Sequence, residues 1–152
     1  MLTDDETTQL QFAIDADDLA EVQRLIASQP AQELTELQLY SNSTVFMYAC
    51  ERSTPEVARA FLAKGVQPFE LPYSDNNELK SAVRNRAHGP AMVTLVLETL
   101  PDDLAMEMIT SDWNPDDEVE EPIFSAFQLA EKLKDPACKE LLLAALERLR
   151  RS

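Results

Sequence analysis

Residues 44–67, TVFMYACERSTPEVARAFLAKGVQ, predict two short helices followed by a stop. Thr44 has the side chain of an N-cap residue and precedes an apolar face, so the first helix begins there. Thr54 and Pro55 begin the second helix, as N-cap and first helical residue. Gly65 fits the left-handed position that ends a helix. The stretch therefore predicts one helix–turn–helix unit.

The same order of helix, turn, helix and stop recurs in residues 7–30, 77–100 and 123–150. The repeat places the start of the first helix at Thr8, 36 residues before Thr44. Asp17-Asp18 and Asp135-Pro136 occupy the turns of the first and last units, where an Asp can cap the helix that follows. Residues 101–122 interrupt the repeat with a predicted short helix and a long acidic loop.

Residues 44–67 also align without a gap to the ankyrin-repeat pattern TPLHxAAxxGHxEVVxLLLxxGAD. The matching positions are Thr44, Phe46, Ala49, Glu56, Val57, Phe61, Leu62 and Gly65. Val45, Met47 and Ser53 stand where the family has Pro, His and Gly. The chain thus resembles an ankyrin-repeat protein with degenerate repeats. The resemblance implies a single all-α domain, residues 1–152, built as an ankyrin-like α-solenoid of about four repeats with an acidic insertion at 101–122; another α-solenoid or an irregular helical bundle is the alternative.

The charge is strongly negative and unevenly distributed. Twenty-eight acids against 13 bases give a net charge of −15. Residues 1–40 contain nine acids and one base, and residues 101–122 contain nine acids and no base. Such a field repels nucleic acid and anionic membranes and attracts a basic protein. We therefore expect a protein partner with a basic surface and neither nucleic acid nor a membrane.

The motifs of common cofactor and metal sites are missing from the sequence. Two glycines leave no room for a glycine-rich phosphate loop, and one His with two distant Cys excludes a normal Cys/His zinc site. The acids of 101–122 lack the calcium-loop spacing. We therefore predict no catalytic residues, no cofactor and no metal. Cys50 and Cys138 are expected to be buried and reduced. Without a secretory signal or a spanning run, the expected location is the cytoplasm.

These features favour a non-enzymatic protein–protein interaction module, for example an acidic inhibitor or immunity protein that neutralises a basic toxin or nuclease. The resemblance implies that partners bind the ends of the first helices and the loops between pairs, and the insertion adds an aromatic residue among acids. The candidate partner-binding residues are Tyr40, Glu51, Arg52, Tyr73, Asp75, Asn76, Arg84, Asp112, Trp113, Asp116, Asp117, Glu118 and Glu120. A structural adaptor or self-assembling subunit, and a hydrolase with a carboxylate pair beside His88, stay open as alternatives.

Overall fold

A computed structural model describes residues 2–40, 43–69, 77–110 and 125–151. Within these ranges the chain forms ten helices and one two-stranded antiparallel sheet. The elements are α1 (Asp4–Asp15), α2 (Leu19–Ile26), α3 (Ala31–Glu36), β1 (Gln38–Tyr40), β2 (Ser43–Thr44), α4 (Val45–Arg52), α5 (Pro55–Lys64), α6 (Glu78–Val83), α7 (Gly89–Thr99), α8 (Asp102–Thr110), α9 (Ala126–Lys132) and α10 (Pro136–Arg151). The all-α prediction is confirmed. No helix within the described ranges is long and apolar enough to cross a membrane.

The helices pack as pairs in two layers. Each of α1–α2, α4–α5, α6–α7 and α9–α10 forms a contacting pair. The first helices contact one another in chain order, α1 to α4 to α6 to α9. The second helices do the same, α2 to α5 to α7 to α10. The core between the layers contains fully buried Leu10, Val22, Phe61, Met92 and Leu142.

The local signals in residues 44–67 act as the sequence predicts. The Thr44 hydroxyl accepts a hydrogen bond from the Met47 N–H at 3.2 Å, which caps α4. The Thr54 hydroxyl accepts one from the Val57 N–H at 3.2 Å, and Pro55 is the first residue of α5. Gly65 ends α5 with φ of 105°, in the left-handed region. Side-chain caps and a left-handed glycine thus fix both helix boundaries.

Helix α1 begins earlier than the repeat pattern predicts. Its N-cap is Thr3, whose hydroxyl accepts from the Glu6 N–H at 3.1 Å, while the Glu6 carboxylate accepts from the Thr3 N–H at 3.2 Å. This reciprocal capping satisfies two N–H groups that a start at Thr8 would leave exposed. Thr8 lies inside the helix, and its hydroxyl donates to the Asp4 carbonyl at 3.0 Å. The prediction of a start at Thr8 is therefore wrong.

The inserted residues contain the expected short helix. Helix α8 follows Pro101 and packs against α9 and α10. Ala105 and Ile109 form its buried side, whereas Leu104 and Met108 are half-buried. The acidic loop predicted after it, residues 111–122, lies outside the described ranges.

A series of buried and partly buried hydrogen bonds connects the turns of successive helix pairs. The Ser53 hydroxyl, in the second turn, donates to Asp17 Oδ1 in the first turn at 2.9 Å. The Asn85 side-chain amide, in the third turn, donates to the carbonyl oxygens of Cys50 at 2.9 Å and Ser53 at 2.8 Å. Asn85 Oδ1 also accepts from the His88 N–H at 2.8 Å. These bonds fix how the first three pairs stack.

Candidate functional site

An open groove lies at the carboxyl ends of the first helices α4, α6 and α9. Its volume is about 1030 Å³. We call it the cationic groove, and define it by Glu51, Arg52, Val83, Arg84, Asn85, Arg86, Ala87, Leu129, Leu133, Lys134, Asp135 and Pro136. The residues that line the groove belong to these three helices, to the turns that follow α6 and α9 and to the start of α10, so three separate segments of the chain converge there.

The charged side chains of the groove are mostly basic. Arg52, Arg84, Arg86 and Lys134 line it together with the acids Glu51 and Asp135. Both acids are already engaged. Glu51 Oε2 accepts from Arg52 Nε at 3.3 Å, and Asp135 Oδ1 accepts from the Cys138 N–H at 3.0 Å. The groove residues therefore include four bases and two acids, a net formal charge of +2 in a protein of net charge −15.

One cation of the groove packs on a buried aromatic ring, and one apolar side chain of the groove is exposed. The Arg52 guanidinium lies 5.8 Å from the centre of the Tyr48 ring, a cation–π distance. The Tyr48 hydroxyl donates to Asp15 Oδ1 at 2.7 Å, which links the groove to α1. Leu133 is 50% exposed at the opposite wall. A partner bound here would cover both an ionic and an apolar surface.

A second surface, formed by α1–α3, is acidic. All nine carboxylates in residues 2–40 are exposed or half-exposed, and the one base, Arg24, is paired with Glu21 at 2.5 Å. The acidic surface is defined by Asp4, Asp5, Glu6, Asp15, Asp17, Asp18, Glu21, Glu33 and Glu36. The hydrogen bond and charge of Arg24 lower the pKa of Glu21. The surface therefore holds a dense negative charge at neutral pH.

Phe12 is an exposed aromatic residue within the acidic surface. It is 66% exposed, the most exposed of the large hydrophobic side chains in the described ranges. Asp5, Thr8 and Asp15 are exposed on the same side of α1, because their spacing from Phe12 follows the helical period. The sequence analysis missed Phe12. The available signal was its position on the side of α1 opposite Leu10 and Ile14, since two residues correspond to about 200° of rotation around a helix.

A small cavity opens at the end of α2, beside α3. Its volume is about 280 Å³, and Leu2, Gln29, Glu33, Leu34, Glu36, Leu37 and Gln38 line it. Gln29 is 8% exposed, and its Oε1 has no hydrogen-bond partner within the described ranges. We call it the Gln29 cavity.

Comparisons with models of known protein families, with curated proteins and with solved structures gave no match.

The structure brings three of the predicted partner-binding residues together. Glu51, Arg52 and Arg84 all line the cationic groove, although they come from two different helix pairs. Tyr40 ends β1, and its side chain is outside the described part of the structure. The other predicted residues, Tyr73, Asp75, Asn76, Asp112, Trp113, Asp116, Asp117, Glu118 and Glu120, also lie outside the described ranges.

His88, Cys50 and Cys138 are the residues that the sequence offers for catalysis or metal binding. The His88 backbone N–H donates to Asn85, and His88 precedes α7 as its N-cap residue. Cys50 and Cys138 are buried and unpaired. Burial raises the pKa of the Cys50 thiol well above its usual value and that of Cys138 to about 12. Across the described ranges, no three His, Cys, Asp or Glu side chains cluster in a way that would hold a metal ion.

Proposed function

We propose that this protein is a non-enzymatic protein–protein interaction module with an ankyrin-like solenoid architecture. The order of helix contacts supports the architecture, because first helices pack on first helices and second helices on second helices along the chain. Such stacks present helix ends and turns in a row and bind partners through them. The cationic groove is a surface of this kind.

The proposed partner is a protein with a basic surface. The exposed Phe12, on the same side of α1 as the exposed Asp5 and Asp15, is the observation that carries this proposal. Nine carboxylates raise the rate at which a basic protein approaches, and complementary charge fixes its orientation. An exposed aromatic ring supplies apolar area that charges alone do not, and it loses little side-chain entropy on binding. The combination is typical of a binding surface with an apolar anchor and a charged rim.

The partner class that fits best is a basic toxin or nuclease, which this protein would neutralise. Such an enzyme holds an anionic substrate with Lys and Arg side chains, and carboxylates of the acidic surface would pair with the same cations. Binding would therefore compete with substrate. Loss of the captured protein's activity on its anionic substrate when this protein is added at equal concentration is the expected result.

The test is affinity capture from the source organism followed by measurement on the purified partner. We expect basic proteins to be retained at low salt and released at raised salt, because rim charges are screened. Phe12→Ala should then weaken binding of the purified partner roughly 10- to 100-fold, as for an aromatic anchor. Leu143→Ala is the matched control, because Leu143 is 41% exposed on α10, away from the acidic surface. Equal affinities for wild type and Phe12→Ala would refute this binding surface.

A self-assembling subunit is the second candidate function. The cationic groove favours it, since the acidic surface of one copy has the charge that the groove of another would bind. Such an assembly would be held by charge and would dissociate as salt rises. Sedimentation velocity at low and high salt tests it, with Arg86→Glu combined with Lys134→Glu as the variant. A monomer at low salt and high concentration would exclude this candidate.

A further inference from the structure

The Gln29 cavity combines three chemical features in a space for one side chain. Leu2, Leu34 and Leu37 supply apolar walls, and Glu33 and Glu36 supply carboxylates. Gln29 supplies a buried amide. The cavity lies within the acidic surface, because both of its glutamates belong to that surface. An occupant must therefore be apolar along its length and basic at its end.

Gln29 is the residue of the cavity that indicates a bound ligand. Its side chain is 8% exposed, and the Oε1 acceptor has no partner within the described ranges. Its Nε2 makes only a long contact of 3.4 Å to the Ser28 hydroxyl. Buried side-chain oxygens in native proteins nearly always accept a hydrogen bond, since leaving one unpaired is costly. A donor supplied by a bound molecule would satisfy this oxygen.

We propose that the Gln29 cavity receives an arginine side chain of the basic partner, an inference that rests on the proposed function. The methylene groups of the arginine lie along Leu34 and Leu37, as long basic side chains commonly pack their stems on apolar surface. Gln29 Oε1 is buried in the free protein, so binding turns the Gln29 amide toward the cavity. The guanidinium then donates to this oxygen and to a Glu36 oxygen. Arginine suits the site because its planar fork carries five donors, so it can serve an amide oxygen and a carboxylate together.

Both glutamates can keep their present hydrogen bonds or ion pairs when the arginine binds. Glu36 Oε1 already accepts from Gln32 Nε2 at 2.7 Å, so the guanidinium takes the other oxygen. Glu33 takes part in another interaction and contributes only its charge at the cavity. Gln29 and Glu36 are therefore the specificity-determining pair, one by accepting a hydrogen bond and one by charge.

The first test uses a single arginine as the probe. N-acetyl-arginine amide is titrated into the ¹⁵N-labelled full chain, and amide shifts are followed by NMR. We expect saturable shifts confined to Gln29, Leu34, Leu37 and their neighbours, with a dissociation constant on the order of millimolar for so small a ligand. The citrulline analogue has the same shape without the charge. Equal binding of citrulline would overturn the assignment of a cation.

Two variants separate the two roles. Gln29→Leu removes the acceptor while keeping the side-chain bulk, and we expect at least about a 10-fold weaker response to arginine. Its unfolding midpoint should not fall, because the replaced amide oxygen has no partner in the free protein. Glu36→Gln, at an exposed position, should weaken the response without affecting folding. Glu107→Gln, an exposed glutamate on α8, is the matched control. Wild-type arginine affinity in Gln29→Leu would overturn the proposal.

The outcome can be distinguished from failure of the proposed function. A basic partner that Phe12→Ala weakens but Gln29→Leu and Glu36→Gln do not would retain the function and overturn the cavity assignment. Arginine binding that both cavity variants weaken, with no basic protein captured, would support the cavity and reject the basic partner. If the amide chemical shifts of Gln29 and Leu34 do not change during the arginine titration, the cavity assignment is overturned in either case.

Discussion

Replacing Glu78 with Gln should make the protein more stable at neutral pH. Glu78 is the first residue of α6 and is 3% exposed. Its Oε2 accepts a hydrogen bond from the Phe69 N–H at 2.7 Å, which holds a residue with φ of 72°. Burial raises the pKa of Glu78 from 4.5 to about 7, although backbone hydrogen bonds at Glu78 and Phe69 lower it. The folded protein therefore favours the neutral carboxyl group.

The size of the effect follows from the two pKa values. Between pH 4.5 and about 7 the unfolded chain loses the Glu78 proton while the folded chain keeps it. Stability from this group is therefore greatest in acid and falls as pH rises through that window. Each pKa unit corresponds to about 1.36 kcal/mol, so the total loss is about 3 kcal/mol. Glutamine is neutral at every pH, resembles the protonated acid and keeps an oxygen for the Phe69 N–H.

Urea unfolding followed by circular dichroism measures this prediction. Near pH 5, above the isoelectric point of about 4.3, wild type and Glu78→Gln should differ by less than about 1 kcal/mol. Near pH 8 the variant should be more stable by about 3 kcal/mol, which raises Tm by roughly 6–12 °C. Glu107→Gln makes the same change of net charge at an exposed site and should match wild type. Parallel stability profiles for wild type and Glu78→Gln would show that Glu78 does not titrate as argued.

Three further predictions concern stability and thiol reactivity. Asn85→Ala removes hydrogen bonds to two buried carbonyls and should cost about 2–4 kcal/mol in urea unfolding; a loss below about 1 kcal/mol would contradict the described network. Gly65→Ala should cost about 1–2 kcal/mol, because φ is 105° and the added Cβ would lie 3.2 Å from the Ala31 side chain; an unchanged Tm would refute it. Cys50 and Cys138 should react with a thiol reagent only in denaturant, since both are buried; rapid reaction of the native protein would contradict their burial.

The sequence predicts those parts of the fold that local chemistry decides. Thr54, Pro55 and Gly65 act within one turn of themselves, so their roles as cap, start and stop can be inferred without a structure. The start of α1 is equally local, because Thr3 and Glu6 cap its first turn, although the repeat period predicts a start at Thr8. Local capping chemistry overrides an approximate repeat.

Features that depend on distant segments were not predictable in this way. The strand pair β1–β2 consists of three and two residues, too short for an alternating pattern to reveal. Burial of Glu78 contradicts the usual exposure of its residue type and depends on the chain around Phe69. These features belong to tertiary packing, which one sequence does not specify residue by residue.

The charge distribution shows the same division and determines the proposed mode of binding. The acids of residues 2–40 are neighbours in sequence, so composition alone locates the acidic surface. The bases of the cationic groove lie at 52, 84, 86 and 134, and only the stacking of first helices brings them together. A net charge of −15 therefore coexists with two surfaces of opposite sign. We expect such a molecule to orient the proposed basic partner toward α1–α3, because the excess of bases in the groove disfavours the same cations. Reversing Arg86 and Lys134 to Glu should leave the affinity of the acidic surface intact yet weaken this orientation, and so broaden the set of basic proteins retained at low salt.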